Sequence, residues 1–429
     1  MKFAKGFYIA DAIMGKGKTS ASIDYINRSD VRERFLYLTP FEAEFERIAS
    51  ACSERDMVTP VEVKGRKLNG LRNLLRGGNN IVSSHALLEN YTNDMLEYIR
   101  KYNYTLFIDE AYEAARVLDE DDLGSFRHFL ANGEVSIDKR TSLAVWESDK
   151  CYDGTPLEEI VNMIKTHNIL YVHNQALLWI FPVEILLAFK NVVVLTYKFN
   201  VNPLSYYFDI HDIKYQFIGV KKVGERNYVF CPVDEADDDS MDIISKVHVV
   251  DVDKLNSIGD DEFDLSVNWG RKDIKNSGGE NLFKLGKNIQ NVQKNIFKCS
   301  AKDFIWTFYD KKIQTEFGLV SMREFVSDKN IKKSFLACNA RAQNRWGDRH
   351  YLAYCVNLQI HPSTSTYFKS NGILIDKDGW ALVNMLQWIW RSAIRNGEEI
   401  WIYIPSMRMR GLFCRWVEDI SKGGEQIDI

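Results

Sequence analysis

The residues with the most legible chemistry stand near the start of the chain. Ala12-x-x-x-x-Gly17-Lys18-Thr19 follows an apolar run beginning at Phe7 and leads into the helix-forming stretch Ser20–Asn27. A strand, a glycine-bearing turn and a helix in that order make a phosphate cradle. Glycines let backbone N–H groups converge on phosphate oxygens, and the helix N-terminus adds partial positive charge. Gly15 and Gly17 then allow close approach of the backbone, with Lys16 and Ser20 beside them. Lys18 reaches the β- and γ-phosphates, and Thr19 ligates the Mg²⁺ that bridges them. The spacing predicts a nucleoside triphosphate site, relaxed at its first position, where alanine replaces the usual glycine. The plainer alternative is a glycine-rich turn carrying a solvated lysine.

A second set of groups follows the apolar run Tyr104–Ile108. Asp109 and Glu110 stand at its carboxyl end, where a parallel sheet brings them beside the strand that precedes the phosphate loop. Asp109 suits Mg²⁺, mostly through water, and Glu110 suits orienting or deprotonating the water that attacks the γ-phosphate. Two adjacent carboxylates also cap helix N-termini, which is the competing reading. Asp234-Glu235-Ala236-Asp237 follows an apolar run as well, but it lies inside an acidic stretch far beyond these strands and reads as a solvated loop.

Late in the chain Gln387, Arg391 and Arg395 recur at i, i+4 spacing within Trp380–Arg395, which reads as one helix. They would form a polar stripe able to present guanidinium groups to phosphate oxygens. The alternative is a solvated edge of a buried helix.

The elements that must position these groups alternate as strands and helices. Arg34–Thr39, Ile81–His85, Tyr104–Asp109 and Asn191–Tyr197 read as strands, separated by helical patterns over Phe41–Cys52, Leu68–Leu75 and Leu87–Tyr102. Such alternation predicts an α/β fold with parallel, doubly wound sheets. From 113 to about 189 the pattern is mostly helical, an insertion in the first lobe. A boundary is expected near 205, so that 1–205 forms lobe 1, 206–295 a polar, acidic connection, and 296–429 lobe 2. In lobe 2, Phe304–Tyr309, Phe335–Cys338 and Ile400–Ile404 read as strands and Asp348–Leu358 as a helix.

Composition sets outer limits. A chain of 429 residues with 45% hydrophobic content can build two or three cores, and a formal charge of −4 gives no global basic footprint. The seven cysteines contain no Cys-x-x-Cys pair and share no metal-ligand spacing with the eight histidines. Reduced thiols in the cytoplasm are expected, the host cytoplasm if the gene is phage-borne. The most apolar stretch, Ile169–Val194, is interrupted by His173, Pro182, Glu184 and Lys190, so no membrane segment is expected.

Taken in order, Ala12–Thr19, Thr39-Pro40, Ser83-Ser84-His85, Asp109-Glu110-Ala111-Tyr112, Leu195-Thr196-Tyr197 and Gln387-x-x-x-Arg391 resemble the motifs of superfamily 2 helicases of the DEAD/DEAH-like group. The resemblance is nearest to the compact helicases of phages and mobile elements. It implies two RecA-like P-loop lobes and ATP with Mg²⁺ as cofactors. Lys18, Thr19, Asp109 and Glu110 would come from the first lobe, and Gln387 and the transition-state arginines Arg391 and Arg395 from the second. It also implies nucleic-acid contacts at Thr39, Pro40, Ser84 and His85, and coupling of hydrolysis to lobe movement at Thr196.

Two departures stand out. Trp390 takes a glycine's place in the last motif and Arg395 arrives one residue late, so either arginine can be the finger. The preceding motif is not recognisable; Arg341 and Asn344 stand in its region, suited to a phosphate or strand backbone or to closing a turn.

The partner expected is single-stranded or forked nucleic acid, DNA favoured over RNA, together with replication or recombination proteins. Lys16, Arg66, Lys67, Arg72, Arg76, Trp346 and Trp388 are groove candidates. A packaging-type motor and a nucleotide-controlled clamp are the competing functions. Because the 234–237 carboxylates are assigned to a loop, Asp234→Ala is expected to leave ATP hydrolysis intact in a phosphate-release assay. Loss of turnover in a folded variant would move the acidic motif there.

Overall fold

The computed structural model describes residues 1–422 except 111, 167, 225, 226, 239, 316, 317, 328, 330 and 340–343, and of Asn344 it describes the backbone alone. The first part of the chain supplies β1 (Gly6–Asp11), β2 (Phe35–Thr39), β3 (Met57–Val58), β4 (Asn80–Ser84) and β5 (Thr105–Asp109). An insertion adds β6 (Ala115–Val117), β7 (Val135–Ile137), β8 (Ala144–Trp146), β9 (Ile169–Val172) and β10 (Ala176–Ile180). The chain then returns through β11 (Asn191–Thr196), β12 (Tyr215–Val223) and β13 (Asn227–Cys231).

Eight of these strands form one sheet in the order β13-β12-β1-β11-β5-β2-β4-β3. Every neighbouring pair is parallel except β12 with β13, which is antiparallel. Its central strands are apolar on both faces, as a doubly covered parallel sheet requires. Leu36, Leu38, Leu106, Ile108, Val192 and Val194 join one core. Phe35, Tyr37, Phe107, Val193 and Leu195 join the other, on the side of helix α1 (Lys18–Arg28). The alternation follows from the two-residue period of a strand.

The expected boundary near 205 falls inside this body, because β12 and β13 continue the sheet for another stretch of chain. The described chain forms two compact units. One holds Met1–Ala12, Gly17–Ala236 and Ile360–Asp376, and the other holds Ile13–Lys16, Asp237–Gln359 and the chain from Lys377 onward. The return of 360–376 has a packing cause. Phe368 is fully buried in the first unit's core with its ring 5.6 Å from that of Tyr206, and the Asp376 N–H donates to the Tyr206 hydroxyl at 2.8 Å.

The insertion is not mainly helical. It carries a three-stranded antiparallel sheet, β6-β10-β9, and a β7-β8 hairpin, beside helices Glu120–Ala131, Glu158–Lys165 and Val183–Leu187. β9 and β10 are joined through His173 and Asn174, both left-handed at φ 49° and 56°. A hairpin that turns without glycine hides its signal from a reading of the sequence.

The second unit has a four-stranded parallel sheet built from β14 (Val247–Val250), β15 (Phe304–Thr307), β18 (Tyr351–Tyr354) and β19 (Ile400–Tyr403), in the order β14-β19-β18-β15. A separate hairpin, β16 (Lys312–Thr315) with β17 (Gly318–Ser321), stands beside it. Here β18 replaces the expected helix over Asp348–Leu358. Leu352, Ala353 and Tyr354 are fully buried, and an unbroken apolar run of that length is compatible with either element until its neighbours decide. Phe335 contributes a lone bridge to Trp306 rather than the expected strand.

At the amino edge of this sheet His350 lies between two carboxylates, with Nδ1 3.0 Å from Asp303 and Nε2 2.9 Å from Glu398. Desolvation lowers the imidazole's pKa, but the hydrogen bonds to the two carboxylates outweigh it and the net shift is upward. A raised folded-state value means that this contribution to stability is fully present below the unfolded pKa of about 6.5 and is lost as pH rises through the folded value. Melting curves should show a loss in the wild type over that range which His350→Gln does not share.

Candidate nucleotide site

β1 lies between β11 and β12, and the chain leaves it toward β2 on one side and later adds β12 on the other. Ligands of such sheets bind at this switch point, outside the carboxyl ends of the strands. Register brings the chemistry there: Asp11 pairs with Thr196, Leu195 with Asp109, and Thr39 with Ser84. The sequence-predicted groups Thr39, Ser84, Asp109, Glu110 and Thr196 thus share one edge with the start of the 12–19 loop.

The loop has the geometry its glycines allow. Gly15 and Gly17 take φ of 85° and 74°, which side chains with a Cβ rarely adopt. Gly17 is the N-cap of α1, an 11-residue helix with no side-chain cap and no acidic residue in its first turn. Its first N–H groups therefore have no anionic competitor within the helix, a fit to phosphate. A side chain at Gly17 would also overlap the ring of Tyr228 on β13.

Lys18 begins α1, and its ammonium donates to the Ala12 carbonyl. Burial pulls its pKa down to about 8, against the pull of Asp11, Asp109 and Glu110. Thr19 Oγ1 donates to Asp109 Oδ2 at 3.1 Å. The Asp109 carboxyl is pushed up, first by burial and then by Glu110. A hydroxyl and a carboxylate side by side are the hard oxygen donors that Mg²⁺ takes, so the residues fit that ion together with a triphosphate. Glu110 has a left-handed backbone, φ 63°, and its N–H donates to the Leu195 carbonyl at 3.1 Å. That conformation costs a non-glycine residue about 1–2 kcal/mol, and such strain collects at functional positions.

Ser20 is exposed in the first turn of α1, and Lys16 is partly buried in the loop. Thr39 and Thr196 are buried at 3% and 4% exposure, and Thr196 Oγ1 has no hydrogen-bond partner among the described residues. Pro40 follows Thr39 at the edge. His85 opens the short helix His85–Leu88, buried, with its ring edge-on to Tyr112 at 5.6 Å.

In the second unit the expected Gln387–Arg391–Arg395 stripe does not form. The helix Lys377–Ile389 ends before either arginine, because Ser392 is extended and the chain turns through Ala393–Asn396 to a left-handed Gly397. Gln387 is partly buried in the last helical turn, Arg391 is 8% exposed, and Arg395 is exposed. Arg341 lies outside the described residues, and Asn344 opens a short 3-10 turn. Trp346 and Trp388 are core residues at 5% and 1% exposure, not stacking platforms. Arg66, Lys67 and Arg72 are engaged by Glu158, Glu42 and Asp94. Asp234 and Glu235 are exposed in a short 3-10 turn.

Three residues at the site escaped the sequence reading. Asp11, the last residue of β1, accepts from the N–H groups of Lys198 and Phe199, both at 2.7 Å, and so holds the turn after β11 against the loop's root. Its signal was a carboxylate closing an apolar run. Tyr37 donates its hydroxyl to Asp109 Oδ2 at 2.8 Å, and Tyr228 backs Gly17 as described. Neither aromatic carries a local signal, since both look like ordinary strand residues.

Together these features define a parallel α/β protein with a phosphate-loop motif at the switch point of its first sheet. The chain belongs to the YonV family. It is 33% identical over 428 residues to the SPbeta prophage-derived protein YonV of Bacillus subtilis (strain 168), covering 96% of this chain and 98% of that one. Residues 241–417 match the YonV C-terminal Rossmann-like domain. Among solved structures, an apo XPD aligns over 96% of both chains at 12% identity with a TM-score of 0.48. Xpd4 of S. tokodaii aligns over 96% of this chain and 94% of its own at 12% identity with a TM-score of 0.45.

Removing the Asp11 carboxylate strands two amides at the sheet edge, which costs about 1–3 kcal/mol for each group left buried without a partner. Asp11→Ala should therefore lower the melting temperature measurably and Asp11→Asn by less, as read by calorimetry.

Proposed function

We propose that this protein is an ATP-dependent translocase or helicase acting on nucleic acid, with single-stranded or forked DNA as the favoured strand. The observation that carries the reading is the assembly of Lys18, Thr19, Asp109 and Glu110 around a glycine loop at one sheet edge. The prophage origin of the relative supports a role in phage or mobile-element DNA replication, recombination or repair.

Mg²⁺ and ATP, when bound, would supply the cleavable phosphoanhydride and the charge that polarises it. Lys18 would exchange its Ala12 carbonyl for phosphate oxygens, and Thr19 and Asp109 would hold the metal. Glu110 would orient the attacking water and take its proton at the carboxylate. Arg391, with Arg395 as the other candidate, would stabilise transition-state charge, and Gln387 would contact the nucleotide region. Thr39, Pro40, Ser84, His85, Arg341 and Asn344 would touch the strand backbone. Thr196, buried and next to Asp11 in register, would couple hydrolysis to lobe movement.

Steady-state ATP hydrolysis should rise when single-stranded DNA is added at low salt, and by less with RNA. Glu110→Gln should keep nucleotide affinity while turnover falls by about 10²-fold or more. Hydrolysis that neither strand stimulates, or an unchanged rate in Glu110→Gln, would overturn the reading.

A further inference from the structure

Asp109 does not reach the edge of the sheet alone. β2 lies beside β5 in parallel register, with Tyr37 opposite Phe107 and Leu38 opposite Ile108. Two residues before the end of β2, the Tyr37 side chain rises on the α1 face of the sheet. Its ring stacks on Phe107, with centroids 6.0 Å apart and planes 20° from parallel. The residue is fully buried, and its hydroxyl donates to Asp109 Oδ2 at 2.8 Å.

The Thr19 hydroxyl donates to the same oxygen at 3.1 Å, so both bonds converge on Oδ2. Asp109 Oδ1 receives no hydrogen bond among the described residues. Ser22, fully buried one turn along α1, donates to the Thr19 carbonyl at 2.7 Å and keeps that turn in register with the tyrosine. A phenol in an otherwise apolar strand layer would cost free energy without a partner; the Asp109 carboxylate accepts its hydrogen bond, and the hydroxyls of Ser22 and Thr19 stand beside it.

We infer that Tyr37 is the positioning residue of the metal-binding carboxylate: its hydroxyl fixes the rotation of Asp109 and leaves Oδ1 to serve the cation. The inference rests on the nucleotide-site reading above. Tyr37 does not touch the nucleotide or the ion; it acts through Asp109, as outer-shell partners of metal ligands do. Thr19 is expected to turn from Asp109 toward the cation when Mg²⁺ is present, which would leave the Tyr37 hydroxyl as the remaining hydrogen bond on Oδ2.

Tyr37→Phe removes the oxygen and keeps the ring, so the stack on Phe107 and the core survive. The measurement is binding of a fluorescent ATP analogue to the full chain, first in EDTA and then across a Mg²⁺ titration. Wild type and Tyr37→Phe should bind equally in EDTA, which also shows that the variant is folded. The Mg²⁺ concentration giving half of the added tightening should rise about tenfold or more in Tyr37→Phe, the usual scale for losing an outer-shell hydrogen bond. Equal Mg²⁺ midpoints, or a loss of affinity already present in EDTA, would overturn the role given to Tyr37 while leaving the nucleotide site standing. Wild-type protein that binds no nucleotide, or binds it without regard to Mg²⁺, would overturn both readings together.

Discussion

One constraint governs the first unit: a lysine ammonium and three carboxylates must share the buried edge of one sheet. Lys18 is lowered by burial, while Asp11 and Asp109 are raised by it, and each is partly relieved by its opposite number. Removing the lysine would leave Asp11 and Asp109 buried without their cation. Their separation is set by strand register, because Asp11, Thr196 and Asp109 end three adjacent strands. A slip of one residue in any of these strands would turn its carboxylate or hydroxyl to the opposite face.

The loop between these charges is supported from both sides. Asp11 ties its root to the turn after β11, where Lys198 is left-handed at φ 49°. Tyr228 on the terminal hairpin strand closes over Gly17, which explains why the sheet must run on to β13. Behind it the aromatic rings of Phe3, Tyr25, Phe107 and Phe230 form a contiguous cluster on the α1 face. Offset and edge-on aromatic contacts of this kind add about 0.5–1.5 kcal/mol per pair beyond area burial. The helix that presents Lys18 and Thr19 is therefore held to the sheet by packing remote from the chemistry.

The insertion is rooted at the same edge. Tyr112, just after the two carboxylates, donates to Glu89 at 2.6 Å and packs edge-on to Phe181, which follows β10, at 5.0 Å. Glu89 also holds Arg116, whose guanidinium lies over the Trp179 ring. Sequence neighbours of the candidate site thus become the anchor of a substructure whose strands were not foreseen.

Much of the site was legible in the sequence because its parts are local. The glycine loop, Lys18, Thr19 and the strand ending in Asp109-Glu110 each depend on a few consecutive residues, and the alternation of strands and helices announces a parallel α/β fold. What the sequence left undecided depends on partners distant in the chain. Tyr351–Tyr354, inside the expected helix, became a strand because β15 and β19 flank it, and Ile360–Asp376 joined the first unit because Phe368 fits that core. The arginine stripe failed because a helix end is set by the turn that must reach β19, not by i, i+4 spacing. Asp11, Tyr37 and Tyr228 acquired their roles only when register set them beside the loop, since a hydrogen bond or a ring contact across strands has no signature in either strand alone.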